Sequence, residues 1–169
     1  MDRVYLIMKY MLMVSILFFG CGIYTFSGST IPGHLKTVNI PLFKNQSLQP
    51  DIAETITSEL TKKIQQNNLL KPVANNSDAT INGIVIKYDN QPDIYGSNEN
   101  REVNVNSYAV QIQVEVEFLD NKKDKELYPK MIITEEGIYN FKSETEKQGQ
   151  KRAIEKIINK IMQNSMQSW

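Results

Sequence analysis

The sequence is short of the side chains that most enzyme chemistry needs. Its 169 residues hold one cysteine, one histidine and one tryptophan. A lone cysteine cannot close an internal disulfide, so a disulfide framework is excluded. No HExxH, CxxC, GxSxG or phosphate-loop pattern occurs. His34 has no Cys or Asp near it in the chain, and a surface or tether position is expected for it rather than a role as general base. Asp120, Asp124 and Glu126 lack the glycine and spacing of a calcium loop and read as a solvated hairpin. Glu135 and Glu136 alternate on a strand, which is poor geometry for paired-acid catalysis. No metal or diffusible cofactor is expected. Charge of one sign is also missing: 19 Lys and Arg balance 19 Asp and Glu. Nothing therefore favours nucleic acid as a partner. A bilayer span needs ~20 apolar residues, whereas the charge of Lys9 leaves only Tyr10 to Ile23 uninterrupted.

What is present begins with that short apolar run. Arg3 and Lys9 supply a positive region, Tyr10 to Phe19 an apolar one, and Gly20 a small residue before Cys21. This order predicts a signal peptide over residues 1–20. The segment also resembles a bacterial lipobox, with Gly20 and Cys21 in place and Phe18 where Leu is usual. The resemblance implies that Cys21 becomes the first mature residue. It would carry a diacylglycerol on sulfur and an acyl chain such as palmitate on its amine, the covalent lipid replacing any cofactor. Several chains are needed for stable anchoring, at ~0.8 kcal/mol per buried CH2. Gly22 rather than Asp follows the cysteine, which in lipoproteins of this kind implies the outer membrane.

About 149 residues remain after the signal, enough for one domain. Residues 21–35 read as a lipidated tether and residues 36–169 as a single domain. Lys36 to Phe43 alternates as a first strand, with Pro41 suggesting an edge or an end. Asp51 and Glu54 suggest a capping box for a helix whose Ile52, Ile56, Leu60 and Ile64 form one stripe. Ala79 to Tyr88 is a second strand, with Gly83 a candidate bulge. A polar loop, Asp89 to Asn104, separates it from the clearest strand, Tyr108 to Phe118. There Tyr108, Val110, Ile112, Val114, Val116 and Phe118 share one face, and Gln111, Gln113, Glu115 and Glu117 share the other. Met131 to Phe141 is a fourth strand. Ser143 and Glu146 suggest a second capping box, opening a helix with Ala153, Ile154, Ile157, Ile158, Ile161 and Met162 on its buried side. The order βαβββα predicts an α+β two-layer sandwich. Its sheet is four-stranded and mostly antiparallel, both helices lie on one face, and the opposite face is polar.

Lys122, Lys123, Lys125 and Lys130 gather beside one turn. They read either as an ordinary charged hairpin or as point charges for an anionic headgroup. The whole pattern is similar to the lipopolysaccharide-assembly lipoprotein family (LptE), most like its Bacteroidetes-type members. Carrying the resemblance are Cys21 with Gly22 to Gly28, then Lys36 to Asn45, then a helix opened by Pro50. The alternating strand with Phe118, the loop Asn121 to Asp124 and a terminal helix running to Trp169 complete it. The resemblance implies a non-enzymatic lipoprotein that plugs the lumen of an outer-membrane β-barrel, the translocon LptD. Such a protein helps the barrel assemble and binds lipopolysaccharide. Lys122, Lys123 and Lys125 are the candidate lipopolysaccharide contacts. The alternative is a periplasm-facing envelope lipoprotein that binds peptidoglycan or secretion machinery.

Overall fold

The computed structural model describes residue 3 and residues 31–93 and 106–166. The rest of the expected signal peptide, Cys21 and the tether as far as residue 30 lie outside the described residues, as do residues 94–105 of the polar loop and residues 167–169.

Three long strands dominate. They are β4 (Ala79–Pro92), β5 (Ser107–Asp120) and β6 (Lys125–Asn140), of 14, 14 and 16 residues. They form an antiparallel meander with Val85, Val114 and Ile133 in one rung. Three short strands flank β4: β1 (Thr37–Asn39), β2 (Lys44–Asn45) and β3 (Lys71–Pro72). The sheet runs β3-β1-β4-β5-β6, and β2 joins the same side of β4 as β1, both parallel to it. The α+β class and the helix-covered face agree with the sequence. The strand count does not: among the described residues the sheet has six strands in place of the expected four.

Pro41 is the reason for half of that difference. It supplies no amide to a ladder, so the expected first strand splits into β1 and β2. Residues 40–43 then hold one more residue than the facing residues 81–83. The extra length turns Phe43 inward, where its amide donates to Thr57 Oγ1 at 3.0 Å and its ring is buried. Gly83 makes room for that ring, since a Cβ there would lie 2.1 Å from Phe43 Cε2. The bulge assigned to Gly83 is instead the register shift between Val85 and Lys87.

The helices are α1 (Ile52–Asn67) and α2 (Glu146–Met166). Ile52, Ile56, Leu60 and Ile64 of α1 are fully buried, as the four-residue spacing requires. With Ala153, Ile154, Ile157, Ile158, Ile161 and Met162 of α2 they join the inward side chains of β4 and β5 in a single core. Capping differs from expectation at both helices. Asp51 adopts the left-handed conformation, φ 59°, and makes no side-chain cap. At α2 the side chain that reaches back is Gln148, whose Oε1 accepts the Thr145 amide at 2.7 Å. Glu144 instead accepts the Asn140 amide and pairs with Arg152.

Helix α2 meets β6 at backbone contact. A Cβ on Gly137 would lie 1.8 Å from the Gly149 carbonyl oxygen, and one on Gly149 would lie 2.8 Å from the Gly137 carbonyl oxygen. This approach lets α2 roof the open edge of β6. Arg152 donates to the Ile138 carbonyl at 2.6 Å, Lys156 donates to the Glu136 carbonyl at 2.7 Å, and Lys160 pairs with Glu135. Arg152 and Lys156, one helical turn apart, thus occupy backbone acceptors that another strand would use, and Lys160 ties the next turn to a side chain. The opposite edge is β3, two residues long and ending in Pro72, which a foreign strand cannot extend well.

Candidate interaction surfaces

The starts of β1, β3, β4 and β6 and the end of β5 meet at one end of the sheet. Asp120 continues the inward alternation of Val114, Val116 and Phe118, so its carboxylate points into the fold and is 1% exposed. Its Oδ2 accepts from His34 Nε2 at 2.6 Å, and its Oδ1 accepts the amides of Lys122 and Lys123 at 2.9 and 3.1 Å. Burial works to raise the pKa of Asp120. The His34 bond and the two amides outweigh it and hold the group below the usual carboxylate range. Asp120 is therefore a buried, saturated acceptor and not part of a solvated hairpin, and His34 is its clasp. Leu35, beside it, is in the core. Among the described residues no hydroxyl or thiol is hydrogen-bonded to the His34 ring.

Asp78 forms a second clasp. Its carboxylate accepts the Lys36 and Thr37 amides at 2.7 and 3.0 Å and pairs with Lys122 Nζ at 2.9 Å. The bond from Lys122, followed by the Lys36 amide, holds its pKa well below the usual range. Lys122 Nζ also donates to the His34 carbonyl. Of the lysines proposed to meet an anion, Lys122 is thus partly committed to holding the fold. Lys123 and Lys125 are exposed and make no ion pair among the described residues. Lys130 does not belong to the turn. It sits on the open sheet face, 3.9 and 3.8 Å from Glu115 and Glu117.

That open face carries the polar residues expected of β5. Gln111 donates to Glu136 at 2.8 Å, Gln113 to Thr134 at 3.2 Å and Asn82 to Glu117 at 3.3 Å. It is not uniformly polar, however. Ile132 and Ile138 of β6 are 62% and 47% exposed, and half-buried Ile84 and Ile86 face the same way on β4. Next to them Leu42, 67% exposed, borders a cleft of about 300 Å³ with Pro41, Ile84, Glu115, Glu117 and Lys130. The expectation of a purely polar face, drawn from β5 alone, is corrected by its two neighbours.

At the far end of the meander Tyr108, Tyr139 and Phe141 cluster, with ring centroids 6.0 and 5.8 Å from Tyr108. Tyr88 Oη donates to Glu146 at 2.6 Å. Burial and then that carboxylate hold the phenol protonated far above its usual range. Among the described residues no cluster of His, Cys, Asp or Glu has the makings of a metal site, and no helix is long and apolar enough to cross a membrane.

The chain matches the LptE family, described as lipopolysaccharide-assembly, over residues 35–166. It belongs to that family. The match spans every element from β1 to α2. Membership in a lipopolysaccharide-assembly family fits the expectation of a non-enzymatic role. No curated protein matches the chain. Among solved structures it is similar to the PelC dodecamer from Paraburkholderia phytofirmans, at 14% identity over 79% of this chain and 89% of that one, TM-score 0.53. It is also similar to a hypothetical protein of Chlamydia trachomatis, at 8% identity over 78% and 98% of the two chains, TM-score 0.52. These likenesses establish a shared fold.

Proposed function

We propose that this LptE-family protein is an outer-membrane lipoprotein, anchored by lipid on Cys21, that seats in the lumen of a lipopolysaccharide-translocating β-barrel of the LptD kind. There it assists assembly of the barrel and delivery of lipopolysaccharide to the cell surface, without catalysing a reaction. The observation that carries this reading is the meander. Fourteen residues of β5 extend about 44 Å, longer than the ~25 Å apolar band of a membrane barrel. Its open face alternates hydrogen-bonded Gln and Glu with isolated isoleucines, a texture able to meet a polar barrel interior. The β6 edge is capped by α2 at the Glu136 and Ile138 carbonyls, and β3 is two residues long and ends in Pro72, so these parts of the plug are poor partners for barrel strands.

The test is capture of the tagged chain from detergent-solubilised outer membranes. A large β-barrel should accompany it, and depletion of the chain should lower the level of assembled barrel and admit bulky antibiotics. Recovery of peptidoglycan or secretion components in place of a barrel, with the permeability barrier intact, would overturn the reading.

A further inference from the structure

We infer that the end of the fold built from the start of β1, from β3 and from the β5–β6 turn lies against the anionic phospholipid headgroups of the leaflet that holds the protein's lipid. The inference rests on the anchor at Cys21 proposed above.

Direction comes first. Ile31 packs on the core, Leu35 closes a turn onto Pro32, and His34 is fixed to Asp120 and Lys122. The chain therefore joins the fold at the β5–β6 turn. Ten residue steps separate Cys21 from Ile31 and can span at most ~36 Å. The far end of the meander is about 44 Å away. A lipid on Cys21 can bring the clasped end to a membrane surface while the far end stays out of its reach.

Charge comes second. Lys36, Lys71, Lys123 and Lys125 are exposed at this end. Thr37 pairs with Lys71 and Asp120 with Lys125, which places all four on the same rim. The acids there divide into two kinds. Asp120 and Asp78 turn inward and are neutralised by His34, Lys122 and backbone amides. Only Asp124 and Glu126 remain exposed against the four lysines. The inward carboxylates thus hold the rim together without cancelling its outward charge. A basic rim held beside a lipid anchor is drawn to anionic headgroups by charge, independently of the acyl chains.

The full chain is reconstituted on phosphatidylcholine vesicles, with and without phosphatidylglycerol. Acylation of its lysines by a water-soluble reagent is then followed by peptide mass spectrometry. Modification of Lys123 and Lys125 should slow roughly five-fold on the anionic vesicles, and high salt should abolish the protection. Lys142 and Lys147, at the far end, should react equally on both. Equal rates at Lys123 and Lys125 on both vesicles would overturn the inference. So would protection by vesicles carrying lipopolysaccharide but not by phosphatidylglycerol, which would return these lysines to lipopolysaccharide. Vesicle flotation separates the anchor from the contact. If the chain fails to float with pure phosphatidylcholine, the anchor is refuted. The headgroup contact then stands only if the chain floats with phosphatidylglycerol at low salt, with Lys123 and Lys125 protected.

Discussion

The two faces of the same three strands obey different rules. On the helix-covered face Val110, Ile112, Val114, Val116 and Phe118 of β5 are all essentially inaccessible. Each gains from leaving water, at about 25 cal/mol per Å². On the open face Gln111 to Glu117 alternate between partial exposure and cross-strand bonds, with Ile132 and Ile138 left in solvent on the neighbouring strand. Folding alone accounts for the first face. On the second face it leaves Ile132 and Ile138 exposed, and these are the side chains that the proposed barrel contact would cover.

The contrast should break most violently at Val114. Val114→Asp places an unpaired charge in the core, at a cost of several kcal/mol, and loss of the circular-dichroism melting transition is the expected outcome. A variant melting like wild type would show that this face is not core. Next in size is Gly137→Ala. The added methyl meets backbone on Gly149, so α2 must lift from β6, an overpacking effect of about 1–3 kcal/mol. The urea midpoint should fall accordingly, and Gly149→Ala should behave alike.

Acid supplies a finer probe. The Arg152 hydrogen bond, with the Asn140 amide, pulls the Glu144 pKa down to about 2. A depressed carboxylate stabilises the fold fully above its ordinary pKa, and that contribution disappears as pH falls from about 4.5 toward 2. The melting temperature should decline across that window, and Glu144→Gln should flatten the decline. An unchanged slope in the variant would show that the pair does not report on folding.

The smallest stability change belongs to the open face. Ile132→Ser with Ile138→Ser should alter stability by no more than ~0.5 kcal/mol per site, yet weaken capture of the barrel in pull-down. Gln113→Ala should do neither. Retention of full barrel capture by the double variant would remove the open face from the interface.

The inner face was legible because period-two and period-four patterns are written directly in residue type. Five of the six inward residues chosen on β5 are in the core, as is every isoleucine of the α1 stripe. The open face was misjudged because it was inferred from one strand, whereas Ile84, Ile132 and Ile138 belong to strands whose alternation is masked by Pro129, Gly137 and a bulge. β2 and β3 escaped notice because two residues carry no period. The His34–Asp120 clasp spans 86 positions, and no local spacing could pair them. One signal was available: Asp120 falls two residues after Phe118, on the inward phase. A carboxylate there demands a buried partner.

The roof of α2 over β6 also has a consequence in time. A chain made from its N-terminus completes β6 before it completes α2. For that interval the sixteen-residue strand lacks its cover, because Arg152 and Lys156 have not yet reached the Ile138 and Glu136 carbonyls, nor Lys160 the Glu135 carboxylate. The hazard of pairing with strands of other chains is greatest in that interval. Arrival of the last helix ends it, so the C-terminal segment is the latch that completes the cover of this edge.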